Sequence, residues 1–486
     1  MPSAKANAAR FIERAIFCAV LAVIIIAAIP YGTVEPWWES LFECAVFALG
    51  VLWVLEGAWR GTWDLQGQRL LFPLLALIAF ALIQTISWRS TGATGSVKGL
   101  WTSVSADPYE TWRFALKLLA LTILLALLLH YTNSKRRLRI LINVLIGICV
   151  ASALFGLMRQ TTQHEALGFF LPFLRKESGY GQFINKNHFA LLMEMGFGLT
   201  LGLLAGGGVR SERALLYAAL LMPIWTTIIL SNSRGGIMGM LGQLLFTALL
   251  FTSVRPAKVS GNERMRRPEA SKILLMAQRL MNTLVARVVL IVVLVMAVVV
   301  GILWIGGDPL VSSLADVRKE VGVEESAEQN GSSRREIWRD TWKMAKDNPV
   351  IGVGLGGYWT AITRYHDASG ELTPQQAHND YLELLASGGI VGALIGIWFA
   401  IGLIKAARER LRSPDPFSRA ACFGALVGIF GAGLHSIVDF GLHITINAAV
   451  LMALIAIATV RIRDEDEDGE FSALPVTQRF ERALES

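Results

Sequence analysis

Charge is scarce in this chain. Only 17% of its 486 residues are Asp, Glu, Lys or Arg, against roughly a quarter in an ordinary soluble domain. Hydrophobic residues make up 53%, and mean hydropathy is +0.50. That balance excludes a water-soluble globule of this size. Cysteine is also sparse: Cys18, Cys44, Cys149 and Cys422 all sit in apolar runs, and none forms a CxxC pair. The spacing excludes a disulfide scaffold and a structural zinc site, and leaves the four as small buried residues in helix packing. Segments of about ten residues with alternating polarity, the mark of a membrane barrel, are missing. So is an internal repeat of the kind found in many transporters. No small-x-small cleavage motif follows the apolar stretch Phe17 to Ile29, although Lys5, Arg10 and Arg14 precede it. The chain runs on through Pro30 to Trp38, so this stretch reads as a first spanning helix with an aromatic interfacial exit, not a cleaved signal.

What is present is a series of apolar runs long enough to cross roughly 30 Å of hydrocarbon as helix. They fall near 12–30, 39–58, 70–88, 112–131, 138–158, 187–206, 213–231, 234–253, 287–305, 380–404, 418–436 and 441–460. With the N-terminus inside, this numbering puts Arg60/Arg69, Lys135 to Arg139, Arg210/Arg213, Arg255 to Arg279, Lys405 to Arg419 and Arg461/Arg463 on one side, which the positive-inside rule assigns to the cytoplasm. The predicted fold is all-α: a polytopic membrane protein of about twelve transmembrane helices, both ends cytoplasmic, with one large loop on the other face. The organisation expected is 1–180 and 181–305 as transmembrane helices, 306–379 as the large periplasmic loop, 380–461 as the C-terminal helices, and 462–486 as an acidic cytoplasmic tail. The net charge of +7 then reflects topology and anionic lipid rather than nucleic acid.

Polar chemistry collects on the outward face, in 159–188, in the turn 231–236 and in the loop 306–379, which is too long to be a plain connector. Ser333 to Asp347 reads as an amphipathic helix on the membrane surface, with Arg334, Trp338, Trp342 and Ala345 along one stripe. Arg334 and Arg335 open it, and arginine pairs bidentately with phosphate; a solvated helix face is the other reading. Arg234, in Ser233-Arg234-Gly235-Gly236, is either a snorkelling boundary charge or an anion ligand beside glycines that permit close backbone approach. The stretch Thr373 to Glu383 reads as a helix start with Thr373 as N-cap, Pro374 first and Gln376 completing a capping box. His378 would lie in the second turn. There it is either a neutral general base or an interfacial histidine with a backbone partner. Asn348 to Tyr358 is glycine-rich but lacks the strand-to-helix frame of a nucleotide site, and reads as a tight turn back to the membrane. His435, Asp439 and His443 recur every four residues, a spacing that suits hairpin packing better than a metal. Gly181 to Phe189, with Asn187, suits polar glue or sugar contact.

The order of these motifs resembles the O-antigen ligase and O-antigen polymerase family over about residues 180–460. Ala377-His378-Asn379-Asp380-Tyr381-Leu382-Glu383-Leu384-Leu385-Ala386-Ser387-Gly388-Gly389-Ile390-Val391-Gly392 is similar to that family's loop-to-helix signature. The stretch 181–190, Ser233 to Gly236, Arg334 to Trp338 with Pro349 to Gly357, and His435 to Asn447 follow its order. The resemblance implies a GT-C-like, metal-independent, inverting glycosyltransferase without a cofactor, facing the periplasm from the inner membrane. Its donor would be a glycan on undecaprenyl diphosphate, and its acceptor another glycan or lipid A–core. Other polysaccharide-assembly proteins would be its partners. His378 would be the base and Arg234 with Arg334 or Arg335 the diphosphate ligands, with Asn187, Asn379, His435 and Asp439 also on the substrate side. Ligase and polymerase both fit, and the stretch 181–190 with the 435–443 hairpin leans toward polymerase. The reading from a different class is a transporter or flippase of an anionic lipid-linked solute.

Overall fold

The computed structural model describes residues 4–61, 67–87, 103–161, 179–254, 334–366 and 374–462. Among these, the regular elements are helices: α1 Ala4–Ala27, α2 Pro36–Arg60, α3 Gln68–Gln84, α4 Pro108–Tyr131, α5 Lys135–Thr161, α6 Lys186–Ala205, α7 Ser211–Leu230, α8 Arg234–Val254, α9 Arg334–Asp347, α10 Tyr358–Ile362, α11 Asp380–Leu411, α12 Pro416–His435, a 3-10 turn Gly441–His443, and α13 Thr445–Thr459. Eleven of the twelve expected spans coincide with α1–α8 and α11–α13. The twelfth, at 287–305, lies outside the described residues, as do Thr373 and the acidic tail. Among the described residues, seven helices, α2, α4, α5, α6, α7, α11 and α12, are long and apolar enough to cross a bilayer, and α3, α13 and Arg234–Leu250 are shorter apolar helices. The chain is an all-α polytopic membrane protein.

Starts and stops follow local chemistry. Asp107 accepts from the Glu110 amide at 3.1 Å ahead of Pro108, and Asp415 accepts from the Ser418 amide at 2.9 Å ahead of Pro416. Asn185 caps α6 in the same way. Each satisfies an orphan N–H of a first turn. In lipid no hydrophobic drive separates helix from tail, so spans associate through close packing of small residues. The central pair here is α6 with α12. Gly198 faces the Gly428 backbone and Gly202 the Gly424 backbone, with no room for a Cβ. Cys149 and Cys422 are buried as expected, but Cys18 and Cys44 are exposed on outer helix faces, where apolar surface meets lipid at no cost.

Successive helices run in opposite directions, so the bundle has two chemically different ends. One end joins the start of α1 to the ends of α2 and α4 and the start of α5: Glu13 pairs with Arg60 at 3.2 Å and Arg137 at 2.6 Å, and Tyr131 bonds Glu56. At the same end Lys135 pairs with Asp415 at 3.2 Å. The other end gathers the C-termini of α3, α7 and α12 and the N-termini of α4, α6, α8, α11 and α13.

Helix α11 is not the continuous span expected. Gly389 has φ 59° and ψ −160° and breaks it. The segment after α9 fills the break. Carbonyls of Pro349 and Val350 accept from Ile390 and Val391, while the amides of Val353 and Gly354 donate to Ala386 and Ser387. Gln84, at the end of α3, donates to the carbonyls of Ile351 and Ser387 and accepts from the Leu355 amide. The glycine-rich stretch therefore does more than turn. It replaces the helical ladder across the break, which a buried backbone requires. Gly389 and Gly352 both have positive φ and both press on opposing backbone, so only glycine fits them. The short half of α11 links Ser436, which accepts from the Asp380 amide, to Gln84.

Helices α9 and α10 form a small cap over this end. The buried face of α9 is Ile337, Asp340, Thr341, Met344 and Ala345. Trp342 is exposed instead, one correction to the expected stripe, because the face turns toward Val353, Tyr358, Ala377 and Ala386. Asp340 on that face takes bonds from His366 and Lys343, both at 3.0 Å. Burial opposes its charge, but hydrogen bonds from Lys343, His366 and Arg339 hold the carboxyl below the usual range.

Candidate active site

His378 lies just outside α11, not in its second turn. The helix starts at Asp380, and its N-cap is Asn379, whose side chain accepts from the Leu382 amide at 2.9 Å. Pro374 and Gln376 precede the helix and do not open it. Glu383 reaches back to accept from the Ala377 amide at 2.8 Å, and this is the bond that folds the chain over at 377–379. His378 itself has φ +50°. A β-carbon disfavours that conformation, and such strain collects where a side chain must be aimed.

Three contacts hold its aim. Nδ1 lies 3.2 Å from Asp439 Oδ1. The ring meets Phe440 edge-on, centroids 4.7 Å apart. The backbone carbonyl accepts from Trp338 Nε1 at 3.3 Å, tying it to α9. The side chain remains 29% exposed. An Nδ1–H donated to Asp439 leaves the Nε2 lone pair available, the tautomer a general base needs.

Behind His378 the polar chain continues inward. Asp439 Oδ2 is 3.7 Å from His435 Nε2, and His435 Nδ1 is 2.6 Å from Glu194 Oε1. Asp439, His435 and Glu194 are essentially inaccessible. Burial would raise the Asp439 carboxyl, but the hydrogen bond to His378 and the nearby His435 and His188 hold it well below the usual carboxylate range. On the far side of Phe440, His443 Nε2 lies 3.3 Å from Glu383 and 3.6 Å from Asp380.

The expected anion ligands flank this chain. Arg234 is the first residue of α8, and a Cβ on its neighbour Gly235 would sit 3.0 Å from His435 Nε2. Ser233 donates to Asn187 Oδ1 at 2.9 Å and accepts from the Gly236 amide at 3.1 Å, so Asn187 braces the α7–α8 turn. Arg334, half-buried, begins α9 one helical turn before Trp338, about 5.4 Å along the axis. Arg335 beside it is exposed.

The structure thus brings His378, Asp439 and His435 into one contiguous group, with Arg234 and Arg334 on elements that touch it. Asn379 and Asn187 are engaged in capping and bracing. His435, Asp439 and His443 form no continuous helical face, because α12 ends at His435 and His443 lies in the separate 3-10 turn Gly441–His443. Among the described residues, no group of three or more His, Cys, Asp or Glu side chains is arranged to hold a metal ion. The sequence alone assigns no role to Glu194 or Phe440. Glu194 carried a signal: a carboxylate inside an apolar run costs several kcal/mol unless partnered, so its partner was worth seeking.

No curated protein matches the chain. A family model described as O-antigen ligase matches residues 218–397, which include Arg234, Arg334, Arg335, His378 and Asn379. Across that segment, about the strained histidine and the two arginine-bearing helix starts, the chain is similar to the family described as O-antigen ligase.

Proposed function

We propose that the chain transfers a glycan from undecaprenyl diphosphate to an acceptor hydroxyl at the periplasmic face of the bacterial inner membrane. The observation that carries this reading is His378: one ring nitrogen engaged by a buried carboxylate, the ring partly open, and the residue inside the matched segment. Nε2 takes the proton of the acceptor hydroxyl as its oxygen attacks the anomeric carbon. The bond from that carbon to the diphosphate oxygen breaks, configuration inverts, and undecaprenyl diphosphate leaves with the electron pair. Asp439 holds the ring in register and stabilises the imidazolium as it forms. Arg234 and Arg334 neutralise the charge that grows on the leaving diphosphate, with Arg335 at its solvent edge. Asn187 holds the Arg234 turn, and Asn379 sets the start of α11 next to the base. The basic clusters at the opposite end of the bundle support placing that end in the cytoplasm.

Transport is the weaker reading. Broken helices do carry substrates in transporters. At Gly389, however, the peptide groups on both sides are taken by Pro349 to Gly354 and by Gln84.

The test is the glycan chain-length profile of cells lacking the protein, complemented with wild type or His378→Ala at matched membrane abundance. Accumulated single lipid-linked repeats in the null and the mutant are expected for a polymerase. Long lipid-linked chains that never reach lipid A–core are expected for a ligase. A normal profile from His378→Ala contradicts the proposed base.

A further inference from the structure

A base at the end of four linked ionisable side chains does not titrate alone. The chain runs from His378 through Asp439 and His435 to Glu194, with separations of 3.2, 3.7 and 2.6 Å. The last two members come from α12 and α6, the tightest helix pair of the bundle, and no solvent reaches either. Glu194 is more than a packing residue. Gly239 on α8 lies flush against its carboxylate with no room for a Cβ, and Glu194 Oε2 has no hydrogen-bond partner. His435 stands between two carboxylates, the arrangement in which an imidazole keeps its proton even when buried. With all three ionised, two carboxylates flank one imidazolium, and the proton taken from the acceptor would supply the second positive charge.

We propose that Glu194 and His435 are positioning residues that, through Asp439, set how readily His378 accepts a proton. The inference rests on the reading of His378 as the base. Glu194 contributes the second negative charge, and His435 offsets it while anchoring Asp439. The middle separation exceeds a hydrogen bond, so the coupling is electrostatic and no proton needs to pass along the chain. Elements packed about His378 also carry the ionisable groups Lys186, His188, Arg234, Arg334, Arg335, Glu336, Arg339, Asp340, Asp380, Glu383 and His443, among others. Both substitutions below leave them in place.

The test uses the full chain in lipid nanodiscs. Diethyl pyrocarbonate acylates neutral imidazole, so the rate of His378 labelling against pH, read by mass spectrometry, reports its titration without any substrate. Glu194→Gln removes a negative charge and makes Asp439 serve two imidazoles. The midpoint for His378 is expected to fall by about one pH unit. His435→Gln removes the offsetting positive charge nearer to His378, and the midpoint is expected to rise by at least as much. In a parallel transfer assay the acid limb of the rate moves with each midpoint. Shifts of opposite sign support the proposal, since a merely structural role has no reason to produce them. No shift, or shifts of the same sign, overturn it. If Glu194→Gln does not fold, the upward shift in His435→Gln decides alone. Opposite shifts with no transfer by wild type at any pH support the coupling and refute the enzymatic reading. Transfer with unmoved midpoints does the reverse.

Discussion

The two ends of the bundle use the same residue types for different purposes. At one end, charges meet in complementary pairs between helix termini, Glu13 with Arg60 and Arg137, Lys135 with Asp415, and Arg69 with Glu409. Each charge is answered by its neighbour and most stay near water. At the other end, histidines and carboxylates run in a chain from a partly exposed ring to a wholly buried carboxyl, over backbone that is strained at His378 and broken at Gly389. Pairing that closes on itself holds helices together. A chain that ends at an open ring nitrogen is arranged to take a proton from something else. The difference supports the proposal that the chemistry takes place at the end that holds His378.

The comparison can be broken or sharpened by substitution. The largest effect is expected from His378→Ala: transfer falls by about 10²–10⁴-fold, with thermal stability near wild type because the ring is partly exposed and alanine places the same β-carbon on that backbone. Transfer assays with matched protein and a thermal melt check both halves. Arg234→Ala follows, with a loss on the order of 10²-fold from the missing diphosphate ligand. Arg234→Lys recovers only part of it, because a point charge lacks the planar fork. Gly389→Ala should lower stability by about 2 kcal/mol or more, since left-handed backbone alone costs roughly 1–2 kcal/mol and the Cβ strikes the Val350 backbone; a detergent-resistance melt measures it. Asp340 gives a pH signature for the cap. Its folded carboxyl titrates below the unfolded value, so its contribution is complete above about pH 4 and disappears as pH falls through the lowered folded value. Trp338 fluorescence should follow α9 undocking over that acid range. The smallest effect is expected at the opposite end. Glu13→Gln should cost about 1 kcal/mol or less and leave transfer per folded molecule unchanged.

How much could be read beforehand differed between the same two ends. Membrane spans announce themselves through apolar length, so α1–α8 and α11–α13 fell where hydropathy placed them. The caps of Asp107, Asn185 and Asp415 obey rules that involve only a few neighbouring residues. His378 was legible as a residue but not as a conformation. A Thr-Pro-x-Gln capping pattern competes with Asn379 as the start of α11, and the bond from the Ala377 amide to the Glu383 carboxylate favours Asn379. The break at Gly389 was hidden because its compensation comes from Pro349 to Gly354 and Gln84, some 40 and 305 residues earlier in the chain. The link from Glu194 to His435 was hidden for the same reason: 241 residues separate them, and only the glycine-lined approach of α6 to α12 brings them together. Periodicity reports on one helix at a time, while the site is made from side chains of four helices and of the turns at His378 and Asp439.

The most direct measurement is release of undecaprenyl diphosphate from a lipid-linked glycan donor, with acceptor present, by purified protein in liposomes. Wild type, His378→Ala and Glu13→Gln are compared at equal folded amount. Release by wild type and Glu13→Gln at similar rates, with His378→Ala slower by at least about 10²-fold, is the predicted result. Equal release by wild type and His378→Ala would contradict the account, because the open histidine end would then not be where the chemistry happens.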